Sequence, residues 1–134
     1  MHCPVLVLFD SGASHSFISS KFVGKCGLAI IPLVNPMLIH APGSDMRTNT
    51  LCPNLTLEIS GVLFHADLIV LQSQGLDVIL GMDWLAKNKG QIDCASKSIS
   101  LTNDEGIQVE FKPETSPKAR PLLPLLVNFF LLLC

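Results

Sequence analysis

The residues best suited to chemistry stand at the end of an apolar run, where Asp10, Ser11 and Gly12 follow Val5–Phe9. A buried strand that ends in this tripeptide places a carboxylate at the border of a core, with a tight loop after it. We expect Gly12 to adopt backbone angles closed to other residues, so that amide N–H groups of the loop point at Asp10. Burial and a nearby like charge can shift the pKa of such a carboxylate into the range that acid–base work on a bound water requires.

Two separated stretches carry a family resemblance. Residues 8–19, LFDSGASHSFIS, resemble the active-site motif of the retropepsin-like aspartic protease domain in Gag-Pol polyproteins of gypsy-type, especially plant, LTR retrotransposons. Residues 77–85, DVILGMDWL, lie where that family carries an apolar-apolar-Gly segment and a following helix. A lone Asp-Ser-Gly tripeptide occurs in many turns, whereas two matches in the family's order are specific. The resemblance that they carry covers roughly residues 5–111.

The resemblance implies an aspartic endopeptidase that cleaves a peptide or polyprotein substrate, with Asp10 catalytic and Ser11, Gly12 and Ala13 completing the active-site loop. Hydrolysis by two carboxylates needs one ionised and one protonated, and such a pair shares a proton. The chain has a single Asp-Ser/Thr-Gly sequence, and Asp83 lacks a following glycine. We therefore expect a homodimer in which each copy contributes Asp10. Asp83 is expected at a helix start, where a carboxylate is favourable.

Residues 37–51 predict a hairpin, because Pro-Gly favours a tight turn between β-compatible flanks. The resemblance assigns its tip, Ala41, Pro42 and Gly43, to the flap that closes over a bound peptide. An ordinary surface hairpin is the alternative. The resemblance also implies that Gly81 packs beneath the active-site loop.

Many short strands and few helices predict a mostly β, closed β-barrel-like retropepsin fold with one or two short helices. A first helix is expected from a cap at Ser14 or His15 to a stop at Gly27, and Pro32 and Pro36 keep their segment out of a sheet centre. The remaining predicted strands cover residues 4–9, 54–59, 62–71, 78–80, 91–93, 98–101 and 107–111, and the second helix covers 83–90.

The length of 134 residues fits one domain. We divide it into a protease domain, residues 1–111, and a Pro-rich linker with an apolar C-terminal tail, residues 112–134. The apolar stretch from Leu122 is shorter than the roughly 20 residues that a membrane-spanning helix needs, so no membrane contact is expected. A net charge of −2 and the absence of Tyr argue against direct nucleic-acid binding.

The five cysteines are scattered and show no CxxC or CxxH spacing, so we expect neither a metal site nor a cofactor. With no secretory signal at the N-terminus, they are interpreted as reduced thiols in an intracellular, cytoplasmic protein.

Three alternatives stay open. His15 with Ser14 or Ser16 suggests a serine hydrolase, although sequence neighbours make a poor triad. Because Pro4 is a poor start for an interface strand, the chain could instead be a catalytically silent retropepsin-like remnant or interaction domain. The third alternative resembles the cellular DNA-damage-inducible retropepsins.

Overall fold

The computed structural model describes residues 5–41, 44–72, 76–112 and 127–133, and there the chain is mostly β with two short helices. In chain order the elements are β1 (Val5–Asp10), β2 (Phe17–Ser19), α1 (Ser20–Cys26), β3 (Ile31–Ala41), β4 (Ser44–Ile59), β5 (Val62–Leu71), β6 (Val78–Leu80), α2 (Met82–Lys87), β7 (Gln91–Asp93), β8 (Ser98–Thr102), β9 (Gln108–Phe111) and β10 (Val127–Leu133). The predicted mostly β architecture with two short helices is confirmed.

A seven-stranded sheet in the order β10-β1-β6-β2-β5-β4-β3 forms the main layer. Strand β6 lies between β1, to which it is parallel, and β2, to which it is antiparallel. Strands β1 and β6 run in the same direction, and Phe9 pairs with Leu80. Asp10 and Gly81, one residue further along each chain segment, are therefore neighbours at the same end of the sheet. Within the described residues the sheet has two edges, β10 and β3, and it is barrel-like rather than closed.

Strand β1 is anchored in the core by alternate side chains. Val5, Val7 and Phe9 are exposed by 1% or less, whereas Leu6 and Leu8 are half-buried. This alternation arises because successive side chains of a strand point to opposite faces. The catalytic candidate, Asp10, is therefore the last residue of a strand whose position is fixed by packing.

Trp84 packs helix α2 against strands β1 and β5 of the main sheet. Its ring centroid lies 6.2 Å from that of Phe9 and 5.6 Å from that of Phe64. The indole Nε1–H donates to the backbone oxygen of His65 over 3.1 Å, so the polar group of this buried side chain has a partner. The start of α2 is thus held in place beside the end of β1.

Helix α1 begins later than the sequence predicted. Residues 17–19 form strand β2, which pairs with β5 and β6, so the prediction of a cap at Ser14 or His15 is wrong. Ser19 is the N-cap, and its side chain accepts a hydrogen bond from the Phe22 amide over 3.0 Å. Gly27 ends the helix in the left-handed conformation, with φ of 63°, as predicted.

Strands β3 and β4 form the predicted hairpin, in register from Met37 opposite Thr48 to Ala41 opposite Ser44. Strand β3 lies at the sheet edge, as its two prolines predicted, and its register shifts between Pro32 and Met37. The tip residues Pro42 and Gly43 lie outside the described residues.

A second sheet of three strands, in the order β7-β8-β9, carries Ile99 and Leu101 into the core at 0% exposure. It is tied to the end of α2 by the Thr102 amide, which donates to the backbone oxygen of Asn88 over 2.7 Å. The strands predicted over 91–93, 98–101 and 107–111 are therefore confirmed, to within a residue at their ends.

Strand β10 runs parallel to β1, from Val127 beside Val5 to Leu133 beside Asp10. Part of the segment assigned to the tail thus extends the main sheet, while the division at residues 111 and 112 stays a prediction. None of the helices in the described part of the chain is long and apolar enough to cross a membrane.

The cysteines differ from the sequence-based expectation of reduced thiols. Cys26 and Cys94 each take part in a disulfide, so that expectation is wrong for these two residues. Cys52 is a buried free thiol, and its burial, with a smaller contribution from the charge of Asp67, raises the pKa of the thiol. It therefore stays protonated at neutral pH.

Candidate active site

The Asp10 carboxylate stands at the surface end of a buried strand. Asp10 is half-buried, and Ser11 and Gly12 after it are exposed. The Ala13 amide donates to the backbone oxygen of Asp10 over 3.2 Å and closes the turn. The Gly12 amide donates to Asp10 Oδ1 over 2.8 Å, which orients the carboxylate and leaves its other oxygen for a further partner.

Gly12 leaves space beside the Asp10 carboxylate and does not adopt a positive φ. It is absent from the glycines with positive φ among the described residues, so the expectation of angles closed to other residues is wrong. A Cβ at this position would lie 3.2 Å from Asp10 Oδ1, tighter than an ordinary van der Waals contact. A larger residue would therefore press on the carboxylate that the loop presents.

The junction of β6 and α2 supports the loop from beneath, as the resemblance implied. A Cβ on Gly81 would lie 2.3 Å from the backbone oxygen of His15 and 2.7 Å from that of Ala13. The next amide, that of Met82, donates to the same Ala13 oxygen over 2.7 Å. Only glycine allows the two backbones to approach this closely.

A side-chain pair links the far end of the loop to helix α2. Ser16 is 1% exposed, and its Oγ accepts a hydrogen bond from the Gly81 amide over 2.9 Å. The same hydroxyl donates to Asp83 Oδ1 over 2.6 Å. Asp83 lies in the first turn of α2, where it was expected, and its Oδ1 also accepts from the Trp84 amide over 2.7 Å.

A second carboxylate, Asp77, lies just before β6 and links this strand to its neighbours β1 and β2. Its Oδ2 accepts from the Leu6 amide over 2.9 Å, and its own amide donates to the Leu6 oxygen over 3.2 Å. The Ser19 amide donates to the Asp77 backbone oxygen over 2.8 Å. Neither this role nor that of Ser16 was predicted from the sequence. The only sequence signal for Asp77 is that an acid stands directly before the Val-Ile-Leu run.

The serine hydrolase alternative finds little support in the geometry. Ser14 Oγ lies 3.0 Å from His15 Nδ1, but both residues are exposed, and no hydrogen bond joins His15 to a carboxylate in the described ranges. Ser16 is occupied by Gly81 and Asp83. A relay of serine, histidine and acid is not assembled here.

Of the predicted flap residues, Ala41 ends β3 and pairs with Ser44, while Pro42 and Gly43 lie outside the described residues. Their role over a bound peptide stays a prediction. Where the structure describes the chain, no group of three or more His, Cys, Asp or Glu side chains is arranged to hold a metal ion.

The chain is similar to known proteins both in its sequence family and in its fold. The family model described as retroviral aspartyl protease matches residues 1–107. Among solved structures, the chain is similar to the retroviral protease-like domain of Ddi1 from Leishmania major, with a TM-score of 0.57 and 21% identity, covering 90% of this chain and 86% of that one. This likeness confirms the predicted retropepsin-like fold. No curated protein sequence matches the chain.

Proposed function

Because the chain belongs to the retroviral aspartyl protease family, we propose that it is an aspartic endopeptidase whose catalytic carboxylate is Asp10. The observation that carries the proposal is the loop itself. Asp10 ends a core strand, its Oδ1 is held by the Gly12 amide, and the loop around it is open to solvent. A carboxylate fixed in this way can meet a water and a peptide without a metal or cofactor of its own.

The chemistry needs a second carboxylate, which we assign to the partner's Asp10. One ionised carboxylate accepts a proton from water while the water oxygen attacks the scissile carbonyl carbon. The other, protonated, donates a hydrogen bond to the carbonyl oxygen, where negative charge develops. The proton then passes to the leaving nitrogen as the C–N bond breaks. Two acids about 3 Å apart share one proton, which gives the two roles.

The surface beside Asp10 supports a homodimer. Ser11 borders an apolar cavity of about 330 Å³ that Met82, Leu85 and Ile92 help to line. Met82 is 44% exposed beside this cavity and so adds to the apolar surface that a partner could cover. A second copy that brought its own loop to Asp10 would cover this surface as well, and a two-fold axis would place both carboxylates around one water.

The substrate class that we propose is an extended peptide in a polyprotein of retrotransposon origin. The two motif stretches, residues 8–19 and 77–85, favour this origin. The pairs of β3 and β4 from Met37 opposite Thr48 to Ala41 opposite Ser44 lie beyond the pairing of β4 with β5 and form the candidate flap, and closure of a flap excludes water from the reaction.

The test is hydrolysis of a peptide library by the purified chain at mildly acidic pH, with Asp10→Asn beside it. Loss of the ionisable carboxylate is expected to lower turnover by at least about 10³-fold, and a pepstatin-type statine is expected to inhibit the parent. Asp104→Asn, which removes a carboxylate from an exposed turn, is the matched control and should keep parent activity.

Unchanged hydrolysis by Asp10→Asn would contradict the assignment. Specific activity is also expected to fall on dilution, because the site exists only in the dimer. A chain that sediments as a monomer at high concentration and cleaves no peptide would support the catalytically silent remnant instead.

A further inference from the structure

We propose that Ser16 and Asp83 form a positioning pair for the catalytic carboxylate: Asp83 fixes the Ser16 hydroxyl, and Ser16 holds the far end of the Asp10 loop. The inference deepens the proposed function and rests on it. Asp83 is thus a positioning residue that acts through Ser16, without contact with the substrate.

The hydrogen-bond directions at Ser16 carry the argument. A hydroxyl has one proton, and here it is donated to Asp83 Oδ1 over 2.6 Å. This donation fixes the rotation of the hydroxyl and aims a lone pair at the Gly81 amide, 2.9 Å away. Because Asp83 accepts the single proton of this hydroxyl, it determines whether Ser16 presents a lone pair to the Gly81 amide.

Both ends of the active-site loop are therefore anchored, but by different means. Asp10 at the near end is the last residue of β1 and pairs with Leu133 of β10, whereas Ser16 at the far end is held by the pair. Between them, the Ala13 oxygen accepts from the Met82 amide over 2.7 Å. Loss of the far anchor would let the loop shift over Gly81, and a displacement of about 1 Å at a reacting group can cost roughly 10²-fold in rate.

The burial of the two residues also fits this role. Ser16 is 1% exposed, so its hydroxyl depends on protein partners, while Asp83 is exposed and keeps its charge hydrated. The carboxylate thus supplies an acceptor to a buried hydroxyl without the desolvation cost of a buried ion pair.

The first test compares kcat and KM of Asp83→Ala, Ser16→Ala and Asp83→Asn with the parent, at concentrations where sedimentation shows equal dimer content. Asp83→Ala and Ser16→Ala are expected to lower kcat by about 10- to 100-fold while KM changes by less than about threefold, the pattern of lost transition-state geometry. Asp83→Asn keeps an oxygen acceptor, and its kcat is expected to stay within about threefold of the parent. Asp104→Asn and Ser96→Ala are the controls for charge and hydroxyl loss in exposed turns.

The second test does not depend on turnover. Hydrogen exchange of the Met82 amide reports whether Ala13 stays against α2. In Asp83→Ala this amide is expected to exchange at least about tenfold faster, while amides of the central strand β5 keep parent rates. Ser16→Ala serves the same purpose if Asp83→Ala does not fold.

The outcomes separate the two proposals. Parent kcat in Asp83→Ala, or equal losses in Asp83→Ala and Asp83→Asn, would overturn the positioning role. If the parent cleaves no peptide, the proposed function fails, and the exchange measurement alone decides whether the pair holds the loop. Unchanged Met82 exchange in both alanine variants would then overturn the inference.

Discussion

The α-carbon of Gly81 lies so close to the backbone oxygen of His15 that a Cβ on residue 81 would approach this oxygen to 2.3 Å. Because the neighbour is backbone, a side chain rotation cannot relieve the contact. We therefore expect Gly81→Ala to destabilise the fold by about 2–4 kcal/mol, through displacement of the loop or of α2. Chemical denaturation followed by fluorescence of Trp84, the single tryptophan, measures this directly.

Gly24 provides the matched control for that substitution. It lies inside helix α1, and a Cβ there would meet nothing within 4 Å. Gly24→Ala is expected to stabilise the chain by about 0.5–1 kcal/mol, because alanine is the better helix former. Equal effects at both positions would show that the close approach at Gly81 does not matter.

Asp77 is predicted to stabilise the centre of the main sheet. Its Oδ2 accepts the Leu6 amide, and Asp77→Ala would leave that N–H without its acceptor at a cost of about 1–3 kcal/mol. Asp77→Asn keeps an acceptor oxygen and should cost less. Equilibrium unfolding in urea gives both values, with Asp104→Asn as a surface control. A parent-like midpoint for Asp77→Ala would contradict the role.

Asp93 gives a prediction for pH. Its Oδ1 accepts the amides of Ala95 and Ser96 in the turn after β7, and hydrogen bonds from Ser96 are the main reason that the pKa of this carboxyl lies below 3.8. Because the pKa of Asp93 is lowered in the folded state, ionised Asp93 stabilises the fold fully at pH values above its unfolded-state pKa. This stabilisation is lost as the pH falls through its folded-state pKa. Carbon-detected NMR titration of Asp93 should give a midpoint below 3.8. A midpoint at or above this value would refute the prediction.

Local chemistry made several elements predictable. Gly27 ends α1, and Ser60 and Gly61, with φ of 50° and 80°, make the two-residue turn between β4 and β5. Each of these features depends on a few neighbouring residues, so the sequence contains the whole signal. The position of Asp10 at the end of a buried run was predictable for the same reason.

Features that depend on distant residues were not predictable. Phe17 and Ile18 fit a helical spacing, yet they form β2 because β5 and β6, about 50 to 60 residues later, offer them backbone partners. The Ser16 to Asp83 bond joins residues 67 positions apart. No periodicity reports such a contact, and only the folded sheet brings its two ends together.

The central claim, a dyad shared between two copies, is tested most directly by mixing subunits. A fixed amount of parent enzyme is equilibrated with Asp10→Asn, and peptide hydrolysis is followed as the variant is added. If each active site needs two Asp10 residues, random pairing should lower activity to about one half at equal amounts and to about one tenth at a ninefold excess of variant. Activity that stays constant across the titration, with exchange of subunits verified by mass spectrometry, would contradict the shared dyad.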